Sequence, residues 1–154
     1  MLLRRYGRSR EERGSLSAFD GLRRAVGGAE LDPISREVAG VAVCVAVDNQ
    51  FGVAFHSTVL GGLGGEAAEI ERMRDGRPPA DDKLAAVYEL AKQIVLERGR
   101  VDDDVIERVR QVGYSQSEVL HIVAECTLAG LVGVVDNLVD RVELDEFLRP
   151  RAWR

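Results

Sequence analysis

The sequence predicts an all-helical, single-domain bundle, and three observations predict it. Leu84, Val87, Tyr88, Ala91, Ile94 and Val95 recur at helical spacing, with most of their charged neighbours elsewhere on the wheel. Helix-start signals stand at Asp32-Pro33, where Asp caps and Pro suits the first helical position, and at Ser115-Gln-Ser-Glu118, a capping box. At 154 residues the chain suits one core, and no composition shift marks a second domain.

In chain order, Arg4, Arg5, Arg8, Arg10 and Arg13 make residues 1–18 a basic arm, expected to be disordered or packed on a neighbouring subunit. Glu11 and Glu12 interrupt the cluster and no apolar stretch follows, so a secretory signal is not expected. Residues 19–154 form the expected domain. After Asp32-Pro33 comes a valine-rich run in which pattern alone does not separate helix from strand. A second helix is expected from near Asn49, carrying Phe51, Phe55, His56 and Leu60 to the glycines at 61–65. Those glycines lack the spacing of a phosphate-binding loop and read as a helix-ending turn. A short charged helix over Glu66–Arg74 closes at Asp75-Gly76 and Pro78-Pro79. The amphipathic helix from Asp81 runs toward Gly99. The next follows Asp102, with Val105, Ile106, Val109 and Val112 inward and Gly113 at its end. The last helix opens at the capping box and is apolar nearly all round from Cys126 to Val135, which predicts burial on several sides. The tail after Leu148 reads as a poor packer.

Lysine and arginine number 21 against 26 acids, a net charge of −5, so a nucleic-acid partner is not expected. The two strongly apolar runs, Val38 to Val47 and Cys126 to Val135, are ten residues each, too short to span a bilayer as helices, and a cytoplasmic protein without membrane contact is expected. Cys44 and Cys126 lie inside those runs and read as reduced core thiols. Two all-apolar segments in a chain with 5% aromatic residues predict a homo-oligomer.

The candidate site is Glu37 and His56, one acid and one histidine around the first apolar run, a pairing suited to acid and base chemistry. The segment from Glu37 to Val59 resembles the core of the alkylhydroperoxidase D-like and carboxymuconolactone decarboxylase family, whose redox members read Glu, then Cys-x-x-Cys, then three residues and a His. Glu37 and His56 fit the acid and histidine positions, and the two cysteine positions fall on Asn49 and Gly52. His56-Ser-Thr-Val-Leu-Gly-Gly, Val101-Asp-Asp-Asp-Val-Ile-Glu, Gly113-Tyr-Ser, Asn137, Leu144-Asp-Glu-Phe and Ala152-Trp153 are similar to later parts of that family, so the likeness covers most of Phe19 to Trp153. It implies helix for the valine-rich run, an oligomeric helical bundle of the alkylhydroperoxidase D-like type, and a peroxidase-type architecture. It does not imply the dithiol reaction. A thiolate attacks the peroxide and a second thiol resolves the product, and neither an amide nor a glycine does either.

Three functions follow: a cysteine-independent enzyme at Glu37 and His56, such as a lyase in which His56 protonates a carbanion; a binding protein taking an unknown small molecule at the same residues; and a structural oligomer. No cofactor or metal is expected. Cys44 is the lesser site candidate, seven residues from Glu37 and so almost on its helical face, in an apolar setting that favours an inert thiol. His121 and Glu125 have a legal ligand spacing but make only two ligands. Asp102 to Asp104 lacks the loop of a calcium site and reads as a negatively charged helix start.

Overall fold

The structure is a computed structural model that describes residues 10–28, 30–138 and 143–154. Seven α-helices and one 3₁₀ turn make up the regular structure, and no strand occurs among the described residues. The helices are α1 (Arg10–Gly27), α2 (Pro33–Ala46), α3 (Gln50–Gly62), α4 (Ala67–Arg74), α5 (Asp82–Leu96), α6 (Asp103–Gln111) and α7 (Gln116–Leu138), and the 3₁₀ turn is Arg149–Arg151. Of the basic arm, residues 1–9, with Arg4, Arg5 and Arg8, lie outside the described residues. Residues 10–18 lie in the 18-residue helix α1, an element the sequence reading did not anticipate.

Helix α2 is the hub. It packs on α3, α5, α7 and α4, which explains why its residues show no amphipathic pattern: every side meets another helix. Val38, Ala39, Val41 and Val43 are fully buried. The helix reading of this valine-rich run therefore holds. Asp32 caps the start by accepting the Ser35 backbone N–H at 2.9 Å, with Pro33 in the first turn.

The remaining boundaries follow the sequence signals closely. Asp81 accepts the Leu84 N–H at 2.9 Å, and α5 turns Ala86, Val87, Tyr88 and Ala91 onto α2. The expected capping box forms: the Ser115 N–H donates to Glu118 Oε2 at 2.7 Å and the Glu118 N–H to Ser115 Oγ at 3.2 Å. The Ser115 N–H and the Ser115 hydroxyl both donate to the Glu118 carboxyl and hold it below its ordinary range. Gly113, at φ 100°, supplies the left-handed residue that ends α6.

Two expectations require correction. Within one chain helix α7 is buried on one side only. Ile122, Glu125, Cys126, Ala129, Gly133 and Asp136 face the bundle, whereas Leu120, Val123, Leu131, Val134 and Leu138 are exposed. At 23 residues it is also long and apolar enough, by length and composition alone, to cross a membrane; the ten-residue measure taken from the sequence ignored its polar but sparse flanks. The tail after Leu148 is not a poor packer. Trp153 is 6% exposed and donates its indole N–H to the Arg74 carbonyl at 3.0 Å. The buried Arg74 guanidinium donates back to the carbonyls of Arg151 at 2.9 Å and Ala152 at 2.8 Å, a reciprocal clasp that an aromatic count does not reveal.

Candidate functional site

The site forms where α3 crosses α2. On α2, Glu37, Gly40 and Cys44 follow at intervals of three and four, so they share one face. On α3, Asn49 caps the first turn while Gly52 and His56, four apart, look back at α2. His56 Nδ1 and Glu37 Oε2 lie 2.8 Å apart, with both side chains only 11% and 12% exposed. The sequence placed this acid and this histidine together, and the structure brings them into one hydrogen bond.

Two glycines make the crossing possible. A Cβ on Gly40 would collide with the His56 ring, so the bare backbone of α2 is the floor on which the imidazole lies. A Cβ on Gly52 would collide with both the Cys44 sulfur and Asn49 Oδ1. The ring thus spans from Glu37 toward Cys44 along a single face of α2. Burial opposes a charge on His56, but its interactions with Cys44 and Glu37 outweigh that cost and raise its pKa to about 10. His56 is therefore an imidazolium at neutral pH, paired with the Glu37 carboxylate.

Asn49 has a definite structural role. Its Oδ1 accepts the Gly52 N–H, capping α3, and its Nδ2 donates to Asp136 Oδ2 of α7 at 3.1 Å. Asp136 is 1% exposed, and burial raises its carboxyl above the ordinary range against the opposing effect of that bond. Its Oδ1 has no hydrogen-bond partner. Gly133 gives Val47 and Asn49 the room to pack on α7.

Sequence reasoning weighed Glu125 only as a partner of His121 and missed its burial near the acid and histidine. It is buried at 5% exposure, and burial raises its carboxyl, with the charges of His56 and Glu37 acting on it as well. The available signal was an acid at the edge of an otherwise apolar stretch, and the same signal marks Asp136. His121, its neighbour by four residues, has a buried Nδ1 without a partner. Among the described residues no group of three His, Cys, Asp or Glu is arranged to hold a metal ion. Asp102 to Asp104 lie at the start of α6, with Asp103 and Asp104 in its first turn.

No protein-family model matches the chain, and no curated protein matches it in sequence. Solved structures do match. An uncharacterized peroxidase-related protein from Silicibacter sp. TM1040 superposes with a TM-score of 0.80 at 17% identity, over 95% of this chain and 77% of that one. A second uncharacterized peroxidase-related protein, described as an alkylhydroperoxidase D core and coming from Ralstonia eutropha JMP134, gives 0.78 at 19% identity, over 88% and 73%. A cysteine-to-alanine variant of the debrominase Bmp8 in complex with 2,3,4-tribromopyrrole gives 0.73 at 12% identity, over 87% and 72%. The resemblance read over most of Phe19 to Trp153 thus holds at the level of the backbone: this chain has the alkylhydroperoxidase D-like fold.

Proposed function

We propose that this chain is a member of the alkylhydroperoxidase D-like family that has kept the acid and histidine of the family's site and works on a small molecule without a vicinal dithiol. The observation that carries this reading is the 2.8 Å bond between His56 Nδ1 and Glu37 Oε2, with the ring seated on Gly40. A buried ion pair is a poor way to stabilise a fold, because desolvation consumes most of its attraction. Two groups of opposite charge held together under little solvent are a good way to hold and deliver a proton.

Asn49 and Gly52 bear no thiols, so the site does not cycle through a disulfide between those positions. The debrominase of the same fold is bound to a small ring compound, which favours a small organic ligand over a macromolecule. A lyase reading uses the same pair: the His56 imidazolium protonates a carbanion while Glu37 holds the ring.

The test is a thermal-shift screen of small metabolites, aromatic acids and lactones against the wild type, Glu37→Gln and His56→Gln. A compound that stabilises the wild type and loses that effect in both variants supports the reading. A screen in which no compound distinguishes the three proteins, while both variants are strongly destabilised, leaves the pair with a structural role only.

A further inference from the structure

We propose that Glu125 is the proton reservoir of this site, the carboxyl from which His56 is recharged after it has given up its proton. The inference rests on the reading that Glu37 and His56 form a live site, and adds the group that refills it.

The register of α7 on α2 brings Glu125 to the pair. The two helices run side by side in the same direction and are tied at both ends. Tyr114, just before α7, shares a hydrogen bond with Ser35 near the start of α2, and Asn137 near the end of α7 donates to the Val47 carbonyl at 3.0 Å. Gly133 lies against Val47. Glu125 is on the same inward stripe as Gly133, two turns and so roughly 12 Å earlier. The same distance back along α2 from Val47 reaches Ala39 and Gly40, and the His56 ring lies on Gly40.

Glu125 has no structural partner there. It is 5% exposed, and among the described residues no hydrogen bond or ion pair reaches its carboxyl. The other buried acid of α7, Asp136, takes the Asn49 amide and so ties α7 to α3. An unpaired acid is costly to bury as an anion, and burial favours its protonated form. The groups that act on it are few. Burial raises the carboxyl above its ordinary range, the charge of His56 on α3 draws it down, that of Glu37 on α2 pushes it up, and that of Arg36 on α2 draws it down. On its own helix His121 stands one turn before it with a buried, unpartnered Nδ1, and the Cys126 thiol, which burial pushes up to about 12, keeps its proton. Among the described residues of α1 and α5, which also pack on α7, no charged group acts on it.

This placement answers a chemical need of the pair. An imidazolium held up to about pH 10 can protonate a strong base such as a carbanion, and once neutral it must be refilled. A carboxyl, even one raised by burial, is the stronger acid and hands over its proton downhill; titrating closer to neutrality, it also exchanges readily with water. The steps balance. The bound molecule takes the His56 proton, the Glu125 O–H bond then breaks as the ring N–H bond forms again, and the carboxylate left beside the imidazolium takes a proton from solvent. Each cycle consumes one solvent proton.

The experiment follows the full chain by NMR with water as the probe. Exchange of the His56 ring N–H with water is measured at neutral pH in wild type, Glu125→Gln and Glu125→Asp, all checked for helicity. Glu125→Gln is expected to slow exchange by about tenfold or more, and Glu125→Asp, which keeps a carboxyl, to restore part of the rate. Carbon NMR then titrates the glutamate carboxyls, with the Glu125 signal assigned by its absence from Glu125→Asp. Its midpoint is expected above the ordinary value of about 4.3, and to rise by about one pH unit in His56→Gln, where the neighbouring cation is gone. Equal or faster ring exchange in Glu125→Gln, or a Glu125 midpoint that ignores His56→Gln, overturns the proposal. A compound whose thermal shift is lost in Glu37→Gln and His56→Gln, in a protein whose ring exchange does not respond to Glu125→Gln, sinks this inference and leaves the acid–histidine reading standing.

Discussion

At the scale of single residues, the account turns on the charge of His56. Its pKa is raised from 6.5 in the unfolded chain to about 10 in the fold, because its interactions with Cys44 and Glu37 outweigh burial. A group whose folded pKa is raised contributes stability that is complete below its unfolded pKa and is lost as pH climbs through the folded value. Urea unfolding should therefore show stability falling from about pH 7 toward 10, by at most about 1.4 kcal/mol per pH unit. His56→Gln should flatten that dependence. Equal slopes in the two proteins would mean that the ring is not charged in the fold. Removing one partner of a buried pair costs about 3 to 5 kcal/mol, so His56→Ala is expected to lower stability far more than Glu37→Gln, which keeps a hydrogen-bonding group in place. Much of this site was legible beforehand: Glu37 and His56 were evident as an acid and a histidine flanking an apolar run. Glu125 and Asp136 were not, because an acid on a helix is ordinarily solvated and only the packing of α7 shows that these two are covered.

At the scale of elements, the crossing of α2 and α3 depends on Gly40 and Gly52, and each gives a prediction. Gly40→Ala puts a methyl where the imidazole lies; it should cost about 1 to 3 kcal/mol and remove the same pH dependence as His56→Gln. Stability and pH dependence both unchanged would show that the ring does not rest on α2. Gly52→Ala meets the Cys44 sulfur and the Asn49 carbonyl oxygen, and a loss of the same order is expected, partly restored by Cys44→Ala in the double variant. Purely additive losses would place the sulfur elsewhere. The caps at Asp32, Asp81 and Ser115 could be read in advance because capping is local chemistry of a few residues. The two glycines could not, since a glycine inside a helix shows its purpose only when another helix arrives. Helix α1 was hidden by its arginines, which resemble a solvated tail until α7 is seen beside it.

At the scale of the whole molecule, the two apolar runs that suggested an oligomer have different fates. Val38 to Cys44 are covered within one chain, so that part of the run requires no partner, and Val45 to Val47 are partly covered. The uncovered surface belongs to α7, where Leu120 (62% exposed), Val134 (54%) and Leu138 (78%) stand with Val123 and Leu131 on the outward side. We expect this face to meet a second copy, giving a mass above one subunit by light scattering at micromolar concentration. Leu131→Glu with Val134→Glu should reduce it to a single subunit, since a charge buried in an interface is costly. A wild type that is monodisperse at one subunit would leave the α7 face without this role. The sequence revealed that apolar surface was in excess; which helix carried the excess depended on the position of α2 at the centre of the bundle.

The most direct test of the central claim is the titration of the imidazoles by nitrogen NMR. The chain has two histidines, His56 and His121, and a His121→Asn variant leaves one to follow. The account predicts that the His56 ring nitrogens keep the shifts of an imidazolium through pH 8 and beyond, and that Glu37→Gln and Gly40→Ala move the transition downward. A His56 that titrates near the ordinary value of about 6.5, unmoved by either substitution, would contradict it.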